Sequence, residues 1–279
     1  VCGHINLLPL ALTVSLLTGS RVALSAHGIE TWSPKPVSRW AARRTRRIFS
    51  VSRYTANKMV EWGVDRGRIQ ILPDTVDGEV FRPTLHCKPG NGRSLLTVCR
   101  LDRSEGYKGV EQVLRTLKDV RSRYPDVRYV IAGTGNDAPR LKSLADSIGV
   151  ADCVEFRGYV PAELLPALYG ESDLFAMPSQ KEGFGIVFLE ALACGLPVLA
   201  GDRDGSVDAV LNGRIGLLVD PEDDSQIKAG ICRLLDGEVD EKLKDPKYLR
   251  SEVLAHYGFD RFRLTVRDVF LDAIRGRQP

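Results

Sequence analysis

No CxxC pair occurs among the six cysteines, Cys2, Cys87, Cys99, Cys153, Cys194 and Cys232, so neither a zinc ribbon nor a disulfide framework is expected. Dispersed thiols of this kind point to reduced, mostly buried cysteines and a cytoplasmic protein. Long apolar runs are missing too. The stretch Ile5–Leu17 falls short of the ~20 residues that span a bilayer, and neither an initiator Met nor a basic segment precedes it as in a secretory leader. A helix packed against a sheet is expected there. Opening on Val1 in the middle of a plausible fold, the sequence reads as a fragment. Repeats and low-complexity tracts are absent. Gly133-Thr134-Gly135 lacks the third glycine of a dinucleotide fingerprint. Basic residues are not interleaved with aromatics in a sheet or recognition-helix pattern, which argues against nucleic acid as a partner.

What is present describes a soluble globular chain. Its 43% hydrophobic and 27% charged residues, over 279 positions, leave room for two domains. The net charge of +3 is unevenly spread: residues 1–92 carry 13 Lys/Arg against 6 Asp/Glu, and the rest is net acidic. Lys35, Arg39, Arg43, Arg44, Arg46 and Arg47 surround Trp40. Such a segment can lie on anionic lipid, or it can be a solvated helix leading into a strand at Ile48–Val51.

The chain is organised around Glu182-Gly183-Phe184-Gly185 and the residues that follow. The apolar run Leu174–Met177 reads as a buried strand ending in the turn Pro178-Ser179. Good helix formers run from Ile186 to Cys194, and Gly195 with Pro197 closes that helix. Gly183 to Gly185 therefore stand at a helix N-terminus, where unpaired N–H groups and the helix dipole favour an anion. Glu182 and Glu190 bracket the turn. A carboxylate only accepts, and each can take two hydroxyl donors. An anion site between two diol acceptors describes a nucleotide-sugar; a buried strand-turn-helix with two solvated glutamates fits the spacing as well.

From residue 95 onward strands and helices alternate. Strands are expected at Leu95–Arg100, Val127–Ala132, Val154–Phe156, Leu174–Met177, Pro197–Ala200 and Ile215–Val219. Helices are expected near Val110–Arg123, Ala138–Ile148, Ala162–Tyr169, Ile186–Cys194 and Ser206–Leu211. That pattern is α/β, a doubly wound parallel sheet. Ahead of it, Arg21–Ala26 reads as a strand delivering His27-Gly28 to its carboxyl end, the edge where open α/β sheets bind ligands. Ser52 can cap a helix from Tyr54 to Trp62, and Ile69–Pro73 reads as another strand. Lys88–Arg93 reads as a linker, and Tyr248–His256 and Phe259–Ile274 as helices.

Pro178-Ser179, Glu182-Gly183-Phe184-Gly185, Leu189-Glu190-Ala191, Ala193-Cys194-Gly195 and Pro197-Val198 together closely resemble the donor-site signature of family 4 glycosyltransferases, two glutamates separated by seven residues. The resemblance runs from about Leu95 to Leu235 and more loosely back to Val1. It implies two facing Rossmann-like domains (the GT-B arrangement), the first one partial. Residues 1–87 would form the acceptor-side domain, 88–255 the donor domain, and 256–279 a helix returning to the first domain. The family's first strand and glycine-rich loop would precede Val1. The usual Asn-Gly before the linker is replaced by Asp74-Thr75, so that turn should differ.

Residue by residue, the resemblance implies the following. Arg100 and Lys108, each unremarkable alone, match the family's diphosphate-binding pair. Glu182 would hold donor-sugar hydroxyls and Glu190 the ribose diol. Gly183, Phe184, Gly185, Ile186 and Val187 would meet the phosphates. Gly133 and Gly135 would approach the nucleotide, and Gly158 with Tyr159 the base. His27 would act from the opposing domain, with His4 a weaker candidate on the acceptor side. Catalysis is thus expected from His27, Glu182, Arg100 and Lys108. The expected activity is retaining transfer of a sugar from a nucleotide-sugar to a hydroxyl acceptor, lipid-linked or a growing glycan, in polysaccharide or glycolipid synthesis at the inner membrane face. No metal or other cofactor is expected, although Asp202-Arg203-Asp204 has the DxD spacing of a metal binder and otherwise reads as an exposed loop. A non-catalytic nucleotide-sugar-binding fragment and a GT-B-like sugar-nucleotide epimerase are the alternatives.

Overall fold

The computed structural model describes residues 1–83 and 92–275. The first part holds α1 (Leu8–Thr18), β1 (Ala23–Ala26), α2 (Ile29–Trp32), α3 (Pro36–Ala42), β2 (Arg47–Ser50), α4 (Arg53–Glu61) and β3 (Ile69–Ile71). Its three strands form a parallel sheet in the order β1-β2-β3. The second part runs β4 (Ser94–Val98), α5 (Val110–Arg123), β5 (Arg128–Ala132), α6 (Ala138–Ile148), β6 (Val154–Gly158), α7 (Leu165–Gly170), β7 (Leu174–Met177), α8 (Ile186–Ala193), β8 (Val198–Gly201), α9 (Ser206–Ala209), β9 (Leu217–Val219) and α10 (Asp224–Asp236). Three helices follow: α11 (Glu241–Lys244), α12 (Pro246–Tyr257) and α13 (Phe259–Arg275).

All pairings in the larger sheet are parallel, in the order β6-β5-β4-β7-β8-β9. Helices cover both faces, so the strands are apolar on both sides rather than alternating. Leu96, Val130, Phe175 and Val198 face one core with α8 and α12. Leu95, Tyr129, Ile131, Leu174 and Leu199 face the other with α5, α6 and α10. The strand order reverses between β4 and β7, which opens a crevice at their carboxyl ends, the place where such sheets bind ligands.

Several expectations change in detail. The helix at Ser206 stops at Ala209, because Leu211 and Asn212 adopt left-handed φ of 53° and 56°. The segment 162–170 divides into a 3-10 turn and α7. Helix α10 was not anticipated, although Asp223 caps it and Ile227, Ile231 and Leu234 bury one face. The Ile5–Leu17 run does form a helix, but α1 buries only Leu8, while Leu10, Val14, Leu16 and Leu17 are exposed. Leu8, with the partly buried Ala11 and Leu12, joins the core cluster of strand residues Leu24, Ala26 and Ile48, and α1 also packs against α3.

Near the turn at Asp74-Thr75, Val76 N–H and Thr75 Oγ both donate to the Tyr257 carbonyl, at 3.0 and 2.8 Å, with no left-handed residue there. Farther on, α13 lies against β2: Arg47 Nη1 donates to the Val269 carbonyl at 3.2 Å, and the Phe49 and Phe270 rings are 6.4 Å apart. Of the expected linker, Lys88–Asn91 lie outside the described residues.

Candidate active site

Loops from the carboxyl ends of β4 and β7 meet at the crevice. After β4 the chain passes Cys99 and Arg100 into a 3-10 turn, Arg103–Lys108, and enters α5 at Gly109. After β7 it passes Pro178-Ser179 and enters α8 at Gly185, whose φ of 95° favours glycine. Gln180 N–H donates to the Tyr107 carbonyl at 2.9 Å, joining the loops. A Cβ on Gly109 would come within 2.5 Å of the Pro178 carbonyl oxygen, so the loops meet main chain to main chain.

This contact brings Lys108 to Glu182. Lys108 Nζ lies 2.5 Å from Glu182 Oε2, and both side chains are 17% exposed. Burial pulls the ammonium toward neutrality, but the charge and hydrogen bond of Glu182 outweigh it and hold the Lys108 pKa above its ordinary value. Arg100 is mostly exposed and pairs with Glu105 of the same loop. The other oxygen of Glu105, Oε2, is buried without a partner. Both cations expected to take a diphosphate are therefore held by carboxylates. No side chain caps α8, leaving its first N–H groups and positive dipole end at this crevice.

Glu190 lies one turn into α8 and accepts from the Tyr169 hydroxyl at 2.8 Å. Burial raises the Glu190 pKa, and the Tyr169 bond offsets this in part. His27 is exposed at the end of β1, and its main chain sits directly on the loop after β7. A Cβ on Gly183 would stand 2.1 Å from the His27 carbonyl oxygen. Asp74 lies close enough to feel both: burial raises its pKa, the His27 charge lowers it and Glu182 raises it.

The other expected residues spread outward. Phe184 is buried against Tyr257, while Ile186 is exposed and Val187 partly buried at the α8 entrance. Gly133 and Gly135 lie under the Arg100 loop, where Cβ atoms would meet the Cys99 carbonyl oxygen at 1.8 Å and the Leu101 carbonyl carbon at 2.1 Å. Their small size thus serves loop-on-loop packing. Gly158 ends β6, an edge strand of the sheet, and the exposed Tyr159 follows it. His4 uses Nδ1 to accept from Asn6 N–H at 3.1 Å, capping a turn.

The DxD triplet is not the simple exposed loop that its spacing suggested, because Asp204 is fully buried. Among the described residues, no group of three or more His, Cys, Asp or Glu is arranged to hold a metal. Glu105, Tyr169, Asp74 and Asp204 were absent from the expected site. Glu105 enters through a local pairing within the Arg100 loop, and the other three through tertiary approaches that no spacing in the sequence encodes.

The model of the family described as "Glycosyl transferases group 1" matches residues 86–250, the stretch that contains this crevice. The chain belongs to this family. A GDP-mannose-dependent alpha-(1-6)-phosphatidylinositol monomannoside mannosyltransferase of Mycolicibacterium smegmatis is 34% identical over 92% of this chain and 71% of its own length. The same-named protein of Mycobacterium tuberculosis is 36% identical over 81% of this chain and 64% of its own. A D-inositol 3-phosphate glycosyltransferase of Corynebacterium jeikeium is 40% identical over 60% of this chain and 43% of its own. Among solved structures, sucrose-phosphate synthase from Thermosynechococcus elongatus superposes with TM-score 0.85 at 20% identity, covering 98% of this chain and 73% of that one. HepE of Anabaena in complex with UDP gives 0.84 at 17%, covering 96% and 77%. These likenesses establish the GT-B fold.

Proposed function

We propose that this chain is the larger part of a family 4 glycosyltransferase that moves mannose, with retention, from GDP-mannose to a hydroxyl of a lipid-linked acceptor of the phosphatidylinositol-mannoside kind. The observation that carries the reading is the Lys108–Glu182 pair at the uncapped N-terminus of α8. A leaving diphosphate develops charge where Arg100, Lys108 and the amides of Gly185, Ile186 and Val187 converge, and preorganised donors stabilise it there. Glu182, released from Lys108 by the diphosphate, accepts from sugar hydroxyls, and Glu190 accepts from the ribose diol. His27 and Asp74 face the sugar from the other side. The choice of GDP-mannose rests on the mannosyltransferase relatives. No metal takes part in this scheme, because the protein supplies the cations.

A membrane-facing role is favoured by a second observation. Leu10, Val14 and Leu17 on α1 and Val37 and Trp40 on α3 are exposed, the two helices pack on each other, and the Arg44 guanidinium just past α3 lies 4.3 Å from the Trp40 ring. Exposed apolar side chains on two packed helices, with arginines clustered in the same segment, suit reversible adsorption to anionic lipid. Among the described residues no helix is long and apolar enough to cross a membrane. The proposed location is cytoplasmic, peripheral on the inner membrane face.

The test is transfer of radiolabelled mannose from GDP-mannose to extracted phosphatidylinositol mannosides, with and without EDTA. Lipid product that persists in EDTA supports the reading. Product only from a UDP-sugar overturns the donor choice. Nucleotide binding without turnover points to a binding fragment, acceptor-independent sugar conversion to an epimerase, and abolition by EDTA to a metal-bound diphosphate.

A further inference from the structure

The triplet Asp202-Arg203-Asp204 divides in the fold. Arg203 reaches outward to Asp220 and Glu222, and Asp202 is exposed. Asp204 turns inward between the loop after β7 and the loop after β8. One of its oxygens accepts from Ser179 Oγ at 2.8 Å and from Glu182 N–H at 2.7 Å. The other accepts from Ser206 N–H at 2.9 Å and Ser206 Oγ at 2.5 Å. Gly205 N–H then donates to the Glu182 carbonyl at 2.8 Å. Both main-chain groups of Glu182 are thus fastened to Asp204-Gly205. The fit is close, since a Cβ on Gly205 would stand 2.0 Å from the Gly183 carbonyl oxygen.

Resting on the donor reading above, we infer that Asp204 is a positioning residue for the transfer. It fixes the Glu182 peptide so that the Glu182 carboxylate and the open end of α8 address one donor together. A buried carboxylate is a poor choice for stability alone, because a well-packed apolar group of similar size costs less desolvation. What it supplies is direction: four donors converge on it, two of them main-chain N–H groups, and only an acceptor with two oxygens can serve both loops. The loop it restrains, residues 178–185, is held by no strand or helix of its own. Its geometry follows from this clamp, from the bond between Gln180 and Tyr107 and from the seat of Gly183 on His27. With its oxygens filled from both loops, Asp204 is not free to ligate a metal.

The test uses Asp204→Asn, which keeps the shape but turns an NH2 toward either the Glu182 or the Ser206 N–H. Turnover with GDP-mannose is expected to fall by up to about a hundredfold, the cost of misplacing a reacting group by about 1 Å. GDP affinity should change far less than turnover, because Arg100, Lys108 and Glu190, the side chains proposed to hold the phosphates and ribose, make no contact with Asp204. Hydrogen exchange in residues 179–185 should speed up in the unliganded protein. Added to Glu182→Gln, Asp204→Asn should lower turnover no further. Multiplying losses, or unchanged exchange in 179–185, overturns the inference. A wild-type protein that does not use GDP-mannose refutes the donor reading alone, and the exchange measurement still decides the role of Asp204. Should Asp204→Asn fail to fold, Ser179→Ala removes one donor from the same oxygen, and faster exchange with a smaller fall in turnover is expected; no change in either overturns the inference.

Discussion

Replacing Glu182 by glutamine should tighten the binding of free GDP while crippling transfer, a pair of opposite effects that few site assignments predict. Lys108 Nζ and Glu182 Oε2 stand 2.5 Å apart with both side chains only 17% exposed, so water screens the pair little. An arriving diphosphate must compete with that carboxylate for the ammonium. A charge-assisted hydrogen bond contributes on the order of 1.5–3 kcal/mol, and each ~1.4 kcal/mol is tenfold in affinity. Glu182→Gln removes the competitor without removing bulk, so GDP is expected to bind more tightly, about 10- to 100-fold at most. Lys108→Met removes the cation and leaves an unpaired carboxylate beside the phosphates. It should weaken GDP by about the same factor or more. The double variant should fall between the two, with Glu182→Gln rescuing affinity that Lys108→Met lost. Titration calorimetry with GDP at low and high salt gives all four corners of the cycle. Turnover of GDP-mannose should fall about tenfold or more in both single variants if, as proposed, Glu182 also holds the sugar hydroxyls and Lys108 the leaving diphosphate. If Glu182→Gln weakens GDP as much as Lys108→Met does, the pair is not opened by phosphate and the reasoning fails.

Three further outcomes follow from other parts of the site. Tyr169→Phe deletes the donor that fixes Glu190 at 2.8 Å, and GDP affinity should drop by about 0.5–1.5 kcal/mol with little change in kcat; an unchanged Kd would show that Glu190 needs no such support. Vesicles of anionic lipid should bind the protein with steep salt dependence, and Trp40→Ala with Arg44→Ala should reduce binding severalfold; equal partitioning onto neutral vesicles would exclude the electrostatic component. Burial pushes Asp204 up to about 6 from an ordinary 3.8, despite its four donors. The folded state therefore binds this proton more tightly than the unfolded chain does. That contribution to stability is full below the unfolded value and is lost as pH rises through about 6, amounting to about 3 kcal/mol. Asp204→Asn should flatten the decline between pH 4 and 7 in thermal unfolding, and parallel curves for the two proteins would contradict it.

Much of this was legible in the residues because both the sheet and the donor loop rest on local rules. Buried strands ending in turns gave the order of elements. The run from Gly183 to Cys194 gave a helix with an open start, and the helix is there with Gly185 as its first cap. What spacing could not give was which loops touch. Arg100 and Lys108 share a loop, yet each is held by a different carboxylate, one local and one from the loop after β7. Tyr169 and Asp204 were invisible for the same reason, since each acts across at least 21 residues of chain. Helix α10 is a different case: Asp223 followed by Ile227, Ile231 and Leu234 at helical spacing is a readable signal for a capped, one-faced helix. The run at Ile5–Leu17 is apolar on every side, so its pattern carried no information about which face is buried.

The glycines show how the two kinds of information meet. In the sequence, Gly133, Gly135 and Gly183 read as places where a backbone approaches a ligand. In the fold, a Cβ at each would stand 1.8 to 2.1 Å from an atom of another loop. Their smallness lets main chains stack: the β5 loop on the β4 loop, and the donor loop on His27. The proposed site is therefore assembled by backbone contact before any ligand arrives, and its charged groups neutralise one another in the meantime. Such an arrangement keeps Lys108 and Glu182 in place without exposing a bare charge to water. On the proposed reading, specificity would depend on a ligand bringing both a diphosphate for the lysine and hydroxyls for the glutamate. A free phosphate satisfies only half of that exchange and a neutral sugar only the other half, whereas a nucleotide-sugar satisfies both in one molecule.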